Sequence, residues 1–185
     1  MVRLVLGLIG AIGSGKDTAA EYLRDKHSFF ATSFGDTVRA EVAELGLEMT
    51  REVQQNLGAQ RRKEFGGDYW GNKLIEKIKS SNKDFAVLNG VRTFDDTNLV
   101  KKAFGEKYNL VLLEVEQEKR FERMHKRNRP GDPTSLEELR KQEAAEEQKF
   151  NFSETVKQAN LKINNNSSLE DFHKKIDKLL KQLIK

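Results

Sequence analysis

The chain has 185 residues, of which 37% are hydrophobic and 34% are charged, and its formal net charge is +4. This length and apolar content predict one compact domain with a single core. With no cysteine and only three scattered histidines, the sequence excludes disulfide scaffolds and zinc–thiolate sites and gives no support to catalytic triads. The mild positive charge indicates a nucleic-acid partner only weakly, because the phosphates of a small ligand explain it equally well.

An apolar run over residues 2–9 predicts a buried strand that leads directly into a glycine-rich loop. Over residues 10–17 the loop matches a phosphate-binding loop in all but its last position. Its glycines permit a tight turn whose N–H groups face a phosphate, and Lys16 adds a mobile positive charge. Helical spacing over residues 16–26 completes the required order of strand, loop and helix. We therefore predict an ATP site formed by Gly10, Ala11, Ile12, Gly13, Ser14, Gly15, Lys16, Asp17 and Thr18.

The last loop position differs from the usual pattern, because Asp17 stands where a Ser or Thr hydroxyl normally reaches magnesium. A carboxylate is also a suitable magnesium ligand, directly or through water. The alternative is that Asp17 only stabilises the positive N-terminus of the following helix. The Gly-Lys-Asp-Thr sequence resembles the loops of some phage deoxynucleotide kinases, which is compatible with phosphoryl transfer.

Further apolar runs predict four more strands, at residues 29–34, 85–88, 110–115 and 161–163, separated by helical segments. This alternation is typical of an α/β fold with a parallel sheet covered on both faces. Residues 36–81 carry helical patterning without a strand, and two prolines at 130 and 133 place a hinge in the charged helical stretch after Arg123. Apolar spacing from Leu169 onwards predicts a docked terminal helix. We expect no targeting segment, no membrane span and a cytoplasmic location.

Polar residues follow the predicted strands at the sheet edge where open parallel sheets bind ligands. Asp36 and Arg39 follow the second strand, and Asn89 and Arg92 follow the third. A guanidinium binds phosphate through two parallel hydrogen bonds, so two converging arginines predict a second anion site beside the loop. The alternative for each arginine is an ion pair with a neighbouring carboxylate.

A cluster of arginines lies on or beside the proline hinge. Arg123, Arg127 and Arg129 are suitable for a closing lid that neutralises the charge on a transferring phosphoryl group. The alternative is a solvated basic helix face.

Three segments resemble known kinases. Gly35-Asp36-x-x-Arg39 resembles the G-D-x-x-R segment of adenylate kinases, and Asn89-Gly90-Val91-Arg92 resembles their D-G-F-P-R segment, one residue shorter. Residues 163–170 resemble the ending of dephospho-CoA kinases, a loop near the donor adenine that here contains Asn165. The whole chain is most similar to an uncharacterised, largely archaeal family of kinase-like proteins. This resemblance implies a single three-layer P-loop kinase domain with a five-stranded parallel sheet, a core at 1–35, 82–123 and 151–185, an acceptor-binding helical insertion at 36–81 and a lid at 124–150.

The same resemblance implies roles for individual residues. Catalytic roles fall to Lys16, Asp36, Arg92 and Arg127, and ATP binding extends to Arg123 and Asn165. Acceptor binding falls to Asp36, Arg39, Arg92 and Arg129. Asn89 replaces an aspartate that usually orients magnesium in these relatives, so we expect the metal to be held by Asp17, Thr18 and Asn89, with the carboxylate moved to the loop.

The acceptor follows in part from chemistry. A nucleotide phosphate is already ionised near neutral pH and needs charge clamps, whereas a ribose hydroxyl benefits from a carboxylate such as Asp36. The arginine pair favours Mg²⁺- and ATP-dependent transfer to a nucleoside monophosphate, with dephospho-CoA-kinase-like transfer to a hydroxyl as the alternative. The rival of another class is an ATPase assembly or RNA-associated factor on an adenylate-kinase scaffold, with Arg61, Arg62, Lys63 and residues 119–129 touching RNA. The sequence does not indicate an oligomeric state.

Overall fold

A computed structural model that describes residues 2–129 and 131–184 contains one five-stranded parallel sheet. Its strands are β1 (Leu4–Ile9), β2 (Phe30–Thr32), β3 (Phe85–Asn89), β4 (Tyr108–Glu114) and β5 (Leu161–Asn164), in the spatial order β2-β3-β1-β4-β5. The predicted α/β fold with five parallel strands is therefore confirmed. The chain adds β2 and β3 on one side of β1 and β4 and β5 on the other, so the loop after β1 lies at the reversal point where such sheets bind ligands.

Helices connect and cover the strands. They are α1 (Lys16–His27), α2 (Phe34–Glu44), α3 (Arg51–Phe65), α4 (Tyr69–Ser80), α5 (Phe94–Phe104), α6 (Gln117–Arg127), α7 (Leu136–Phe150), α8 (Phe152–Val156) and α9 (Leu169–Leu183), with a short 3₁₀ helix at Gly105–Lys107. Of the helices in the described part of the chain, none has the length and apolar character that crossing a bilayer requires.

Strand β1 shows why the sheet is covered on both faces. Alternate side chains of a strand point to opposite faces. Leu4, Leu6 and Leu8 pack into one core with α1 and α9, whereas Val5 and Ile9 pack into a second core with α4 and α5. Burial of both faces explains why this strand is a continuous apolar run and not an alternating one.

Several predicted boundaries move by a few residues. The strand expected over residues 29–34 ends at Thr32, because Ser33 caps α2: its Oγ accepts a hydrogen bond from the Asp36 N–H at 3.0 Å. Helix α2 therefore runs across the predicted core–insertion boundary at residue 36. Helix α6 likewise runs across the predicted start of the lid at residue 124.

Helices α2, α3 and α4 have a small core of their own, formed by Val42, Leu57 and Trp70. The indole N–H of buried Trp70 donates to the Gly58 carbonyl at 3.0 Å. Beside this core, the buried Glu41 carboxylate accepts hydrogen bonds from Arg61, Tyr69 and Lys73. One carboxylate on α2 thus joins α3 and α4, and this fixes the three-helix wall that faces the loop after β1.

Candidate active site

The loop after β1 requires glycine for steric reasons. Gly13 and Gly15 have φ angles of +79° and +93°, a region that residues with a Cβ rarely adopt. A Cβ on Gly15 would lie 2.6 Å from Asn165 Nδ2, and one on Gly13 would lie 3.1 Å from the Met124 side chain. The side chains of Asn165 and Met124 therefore contact the outer side of the loop, and its inner side remains open to a ligand.

The side chain of Lys16 folds back onto the loop that precedes it. Its ammonium donates to the carbonyls of Gly10 at 2.6 Å and Ala11 at 3.0 Å. Burial lowers the pKa of Lys16 to about 8, an effect that the carboxylate of Glu146 opposes. A bound phosphate would supply the negative charge that this partly desolvated ammonium lacks.

Asn165 and Arg123, both predicted to bind ATP, form a chain of contacts onto the loop. The buried Asn165 side chain donates from Nδ2 to the Ser14 carbonyl at 3.0 Å. Arg123 on α6 donates in turn to the Asn165 carbonyl at 2.9 Å. Both residues line the same cavity of about 560 Å³ as the loop. The structure therefore brings Arg123 and Asn165 beside the loop.

The three residues predicted to hold magnesium lie beside the phosphate loop. Asn89, at the end of β3, donates from Nδ2 to the Asp17 carboxylate at 2.7 Å. This bond orients Asp17 while 62% of its side chain stays exposed, and Arg129 of the lid lies 3.9 Å from its other oxygen. Thr18 lines the adjacent cavity. Exposed carboxylate, amide and hydroxyl oxygens at a phosphate site fit a hard cation that retains waters.

The arginines that follow β2 and β3 line one cavity of about 570 Å³ together with Lys16 and Asp17. Arg39 forms an ion pair with Asp36, the alternative that the sequence left open. Burial raises the pKa of Asp36, but hydrogen bonds from Ser33 and Arg39 outweigh it, so that the pKa lies below its ordinary value. Asp36 is thus held as an anion that orients Arg39.

One carboxylate, that of Asp132, accepts hydrogen bonds from both Arg127 and Arg129 in the region predicted to be a lid. Arg127 donates two hydrogen bonds to Asp132, at 2.8 and 2.6 Å, and the Arg129 N–H donates to the same side chain. This partner raises the pKa of Arg127 further above its usual value. Both arginines still line the cavity around the loop. The pair with Asp132 therefore fixes the turn between α6 and α7 without removing Arg127 from the site.

Glu146 and Arg120 are residues at the site that the sequence analysis did not predict there. Glu146 on α7 is 14% exposed and lies 3.7 Å from Arg92, beside Lys16. Buried Arg120 donates to the Ile12 and Val115 carbonyls and pairs with Glu143 of α7. Arg120 therefore links the phosphate loop to the lid helix. Its position within the basic cluster of α6 was visible in the sequence, but the carboxylates of α7 occur in a run of similar residues that offered no signal.

The two cavities meet at three side chains. Lys16, Asp17 and Arg92 line both the cavity around the phosphate loop and the cavity against the α2–α4 wall. Each cavity is of the size that small-molecule sites have, roughly 300–1,000 Å³. Two anionic ligands placed in them would touch the same ammonium and the same guanidinium.

Sequence comparisons identify the family of this chain. A family profile described as an AAA domain matches residues 9–140. A UPF0200 protein of Hyperthermus butylicus is 31% identical over 181 residues, which cover 98% of this chain and 95% of the relative. A UPF0200/UPF0201 protein of Archaeoglobus fulgidus is 35% identical over 183 residues, and the chain spans 56% of that relative's length. The chain belongs to the UPF0200 family, within the group of P-loop domains that the profile describes.

A solved structure shows the same fold. The shikimate kinase of Bacteroides thetaiotaomicron superimposes with a TM-score of 0.61 and 13% sequence identity, covering 97% of this chain and 98% of that one. At this identity the likeness establishes the P-loop kinase fold alone.

Proposed function

We propose that this UPF0200 protein is an ATP-dependent phosphotransferase whose acceptor is a nucleoside monophosphate. The observation that carries the proposal is the meeting of two cavities at Lys16, Asp17 and Arg92. A γ-phosphoryl group at this junction would lie between a donor held by the loop and an acceptor held against α2–α4. Positioning and charge neutralisation are the main requirements for such a transfer.

The charged side chains that line the cavity against the α2–α4 wall support a phosphate-bearing acceptor over a neutral one. The lining of this cavity includes five cationic side chains, namely Lys16, Arg39, Arg62, Arg92 and Lys149. An acceptor phosphate oxygen would form the new bond to the γ-phosphorus while the bond to the β–γ bridging oxygen breaks and ADP leaves. Because the attacking oxygen is already ionised, no general base is needed. Asp36, the candidate base for a hydroxyl acceptor, is engaged by Ser33 and Arg39.

Magnesium is part of the proposal. Asp17, Thr18 and Asn89 are the residues we assign to it, and the ion would neutralise charge on the phosphoryl oxygens. Arg127 and Arg129, which line the donor cavity, would add positive charge from the lid. Asn165 and Arg123 would contact the nucleoside end of ATP.

The RNA-associated alternative has weaker support. Two of the arginines on which it depends have internal partners: Arg61 pairs with Glu41 and Glu64, and Arg127 pairs with Asp132. Arg120, in the 119–129 cluster, is buried. The basic residues assigned to RNA therefore present less free charge than the sequence indicates.

A coupled assay of ADP release tests the proposal with ATP, magnesium and a panel of acceptors. We expect turnover with one or more nucleoside monophosphates and a much lower rate with dephospho-CoA. Turnover with dephospho-CoA alone would contradict the nucleotide acceptor. Slow acceptor-independent hydrolysis that RNA stimulates would favour the rival function.

A further inference from the structure

The wall of the acceptor cavity contains a carboxylate that the proposed transfer does not use. Asp96, in the first turn of α5, lines this cavity together with Gln54, Gln55 and Arg62 of α3. No described side chain forms an ion pair with Asp96. Burial raises its pKa, although a hydrogen bond with Thr93 and the positive charge of Arg62 oppose this effect. A partly desolvated carboxylate without a salt bridge, on the wall of a cavity, is a candidate for ligand binding.

The Asp96 side chain also contributes to the start of α5, through its hydrogen bond with Thr93. Thr93 already caps α5, since its Oγ1 accepts the Asp96 N–H at 3.1 Å. The neighbouring Asp95 also supplies negative charge to the first turn, and it is exposed. Asp96 nevertheless lines the acceptor cavity, so its carboxylate can serve both the start of the helix and a ligand.

We infer that Asp96 reads the base of the acceptor and selects a guanine nucleotide; the inference rests on the proposed function. An ionised carboxylate has two oxygens that only accept hydrogen bonds. Guanine presents two adjacent donors on its pairing edge, N1–H and the N2 amino group. The other common bases present at most one donor there, beside acceptor atoms that a carboxylate repels.

The surroundings of Asp96 complement the rest of guanine. Guanine carries acceptors at O6 and N7, which a guanidinium matches. Arg62 is close enough to lower the pKa of Asp96 by its charge, and it has no ion-pair partner among the described side chains. The flat base would lie in a cavity that Phe34, Trp70 and Phe150 also line. Arg92, which is assigned to the acceptor phosphate, lies just before the N-cap of the same helix and lines the same cavity.

The test compares Asp96→Asn with the matched control Asp95→Asn, using ATP and the monophosphates of guanosine, inosine, adenosine, cytidine and uridine. The wild type should prefer the guanosine acceptor in kcat/KM, with inosine weaker because it lacks the N2 amino group. In Asp96→Asn the guanosine-to-adenosine ratio should fall about 10- to 100-fold, because an amide offers one donor and one acceptor, as adenine requires. Asp95→Asn should keep the wild-type ratio.

The outcomes separate this inference from the function on which it rests. Turnover of several monophosphates without a guanine preference, or an equal ratio in both variants, would overturn the role of Asp96 and leave the kinase proposal intact. Absence of turnover with every monophosphate would overturn both. The wild-type panel tests the preference even if Asp96→Asn fails to fold, and thermal unfolding of the two variants reports on that failure.

Discussion

The proposed donor and acceptor sides of the site are built differently. On the donor side the proposed phosphate contacts are the backbone N–H groups of the loop and Lys16, and the loop is held from outside by Asn165, Met124 and Arg120. On the acceptor side the ligand-facing groups are side chains, and Arg39 and Arg92 are 48% and 56% exposed. Both arginines also lie near carboxylates that a ligand would have to outcompete. The donor half is therefore preformed, whereas the acceptor half is held by exchangeable ion pairs.

Substitution of Lys16 should give the largest effect and separate chemistry from folding on the donor side. Lys16→Ala should lower kcat/KM on the order of 10³-fold, since it removes the charge that faces the phosphates. The exposed Lys26 lies on the same helix, so Lys26→Ala is the control and should retain activity. Circular dichroism should show both variants folded. An unfolded Lys16→Ala would mean that this lysine serves the fold.

The stability of the three-helix wall of α2, α3 and α4 depends on Glu41, whose side chain is 6% exposed. Glu41→Gln should destabilise the protein by about 3 kcal/mol, because Lys73 and Arg61 lose their shared partner. Glu44→Gln, on the exposed surface of the same helix, should cost little. Urea unfolding measures both values.

The destabilisation caused by Glu41→Gln should depend on pH, because the pKa of Glu41 lies below its usual value of 4.5. Burial raises the pKa of Glu41, but hydrogen bonds from Lys73, Arg61 and Tyr69 more than offset it. Since the unfolded chain binds this proton more tightly, the stabilisation is complete above 4.5 and is lost as the pH falls further. The difference in unfolding free energy between wild type and Glu41→Gln should therefore shrink below pH 4.5. A constant difference would show that charge is not its cause.

Substitution of Arg92 tests whether binding of the acceptor can be weakened without weakening binding of ATP. Arg92→Ala should raise the KM for the acceptor about 10- to 100-fold, as expected for the loss of a charge-assisted hydrogen bond. The affinity for ATP alone should change far less, because the loop amides remain. Calorimetric titration with ATP and steady-state kinetics with the acceptor give the two values. An equal loss in both would mean that Arg92 contacts the donor as much as the acceptor.

The smallest expected effect concerns the loop backbone. Gly13→Ala should weaken ATP binding about tenfold, since a Cβ is disfavoured at its φ of +79° by about 1–2 kcal/mol. Gly46 has a φ of +65° but no atom within 4 Å of an added Cβ. Gly46→Ala should lower stability by a similar amount and leave ATP affinity unchanged. Equal ATP affinity in both variants would show that the loop tolerates strain.

The contrast between a site built from backbone and one built from side chains also explains what could be predicted from the sequence. The donor loop was readable because its backbone geometry demands glycines at fixed positions, and the strands were readable because burial on both faces gives apolar runs. Helix α2 begins two residues before the predicted insertion, because the Ser33 cap has no apolar signature. Glu146 and Asp96 could not be found, since their importance depends on which side chains the fold brings near Arg92 and Arg62.

The central claim is that two phosphate-bearing ligands lie side by side, and a bisubstrate mimic tests it most directly. Adenosine linked through five phosphates to a second nucleoside would fill both cavities, and calorimetry can compare its affinity with that of ATP for each common base. We predict binding at least about 100-fold tighter than ATP with the best base, and loss of most of this gain in Arg92→Ala. A mimic that binds no more tightly than ATP with any base, and that is indifferent to Arg92→Ala, would contradict the account.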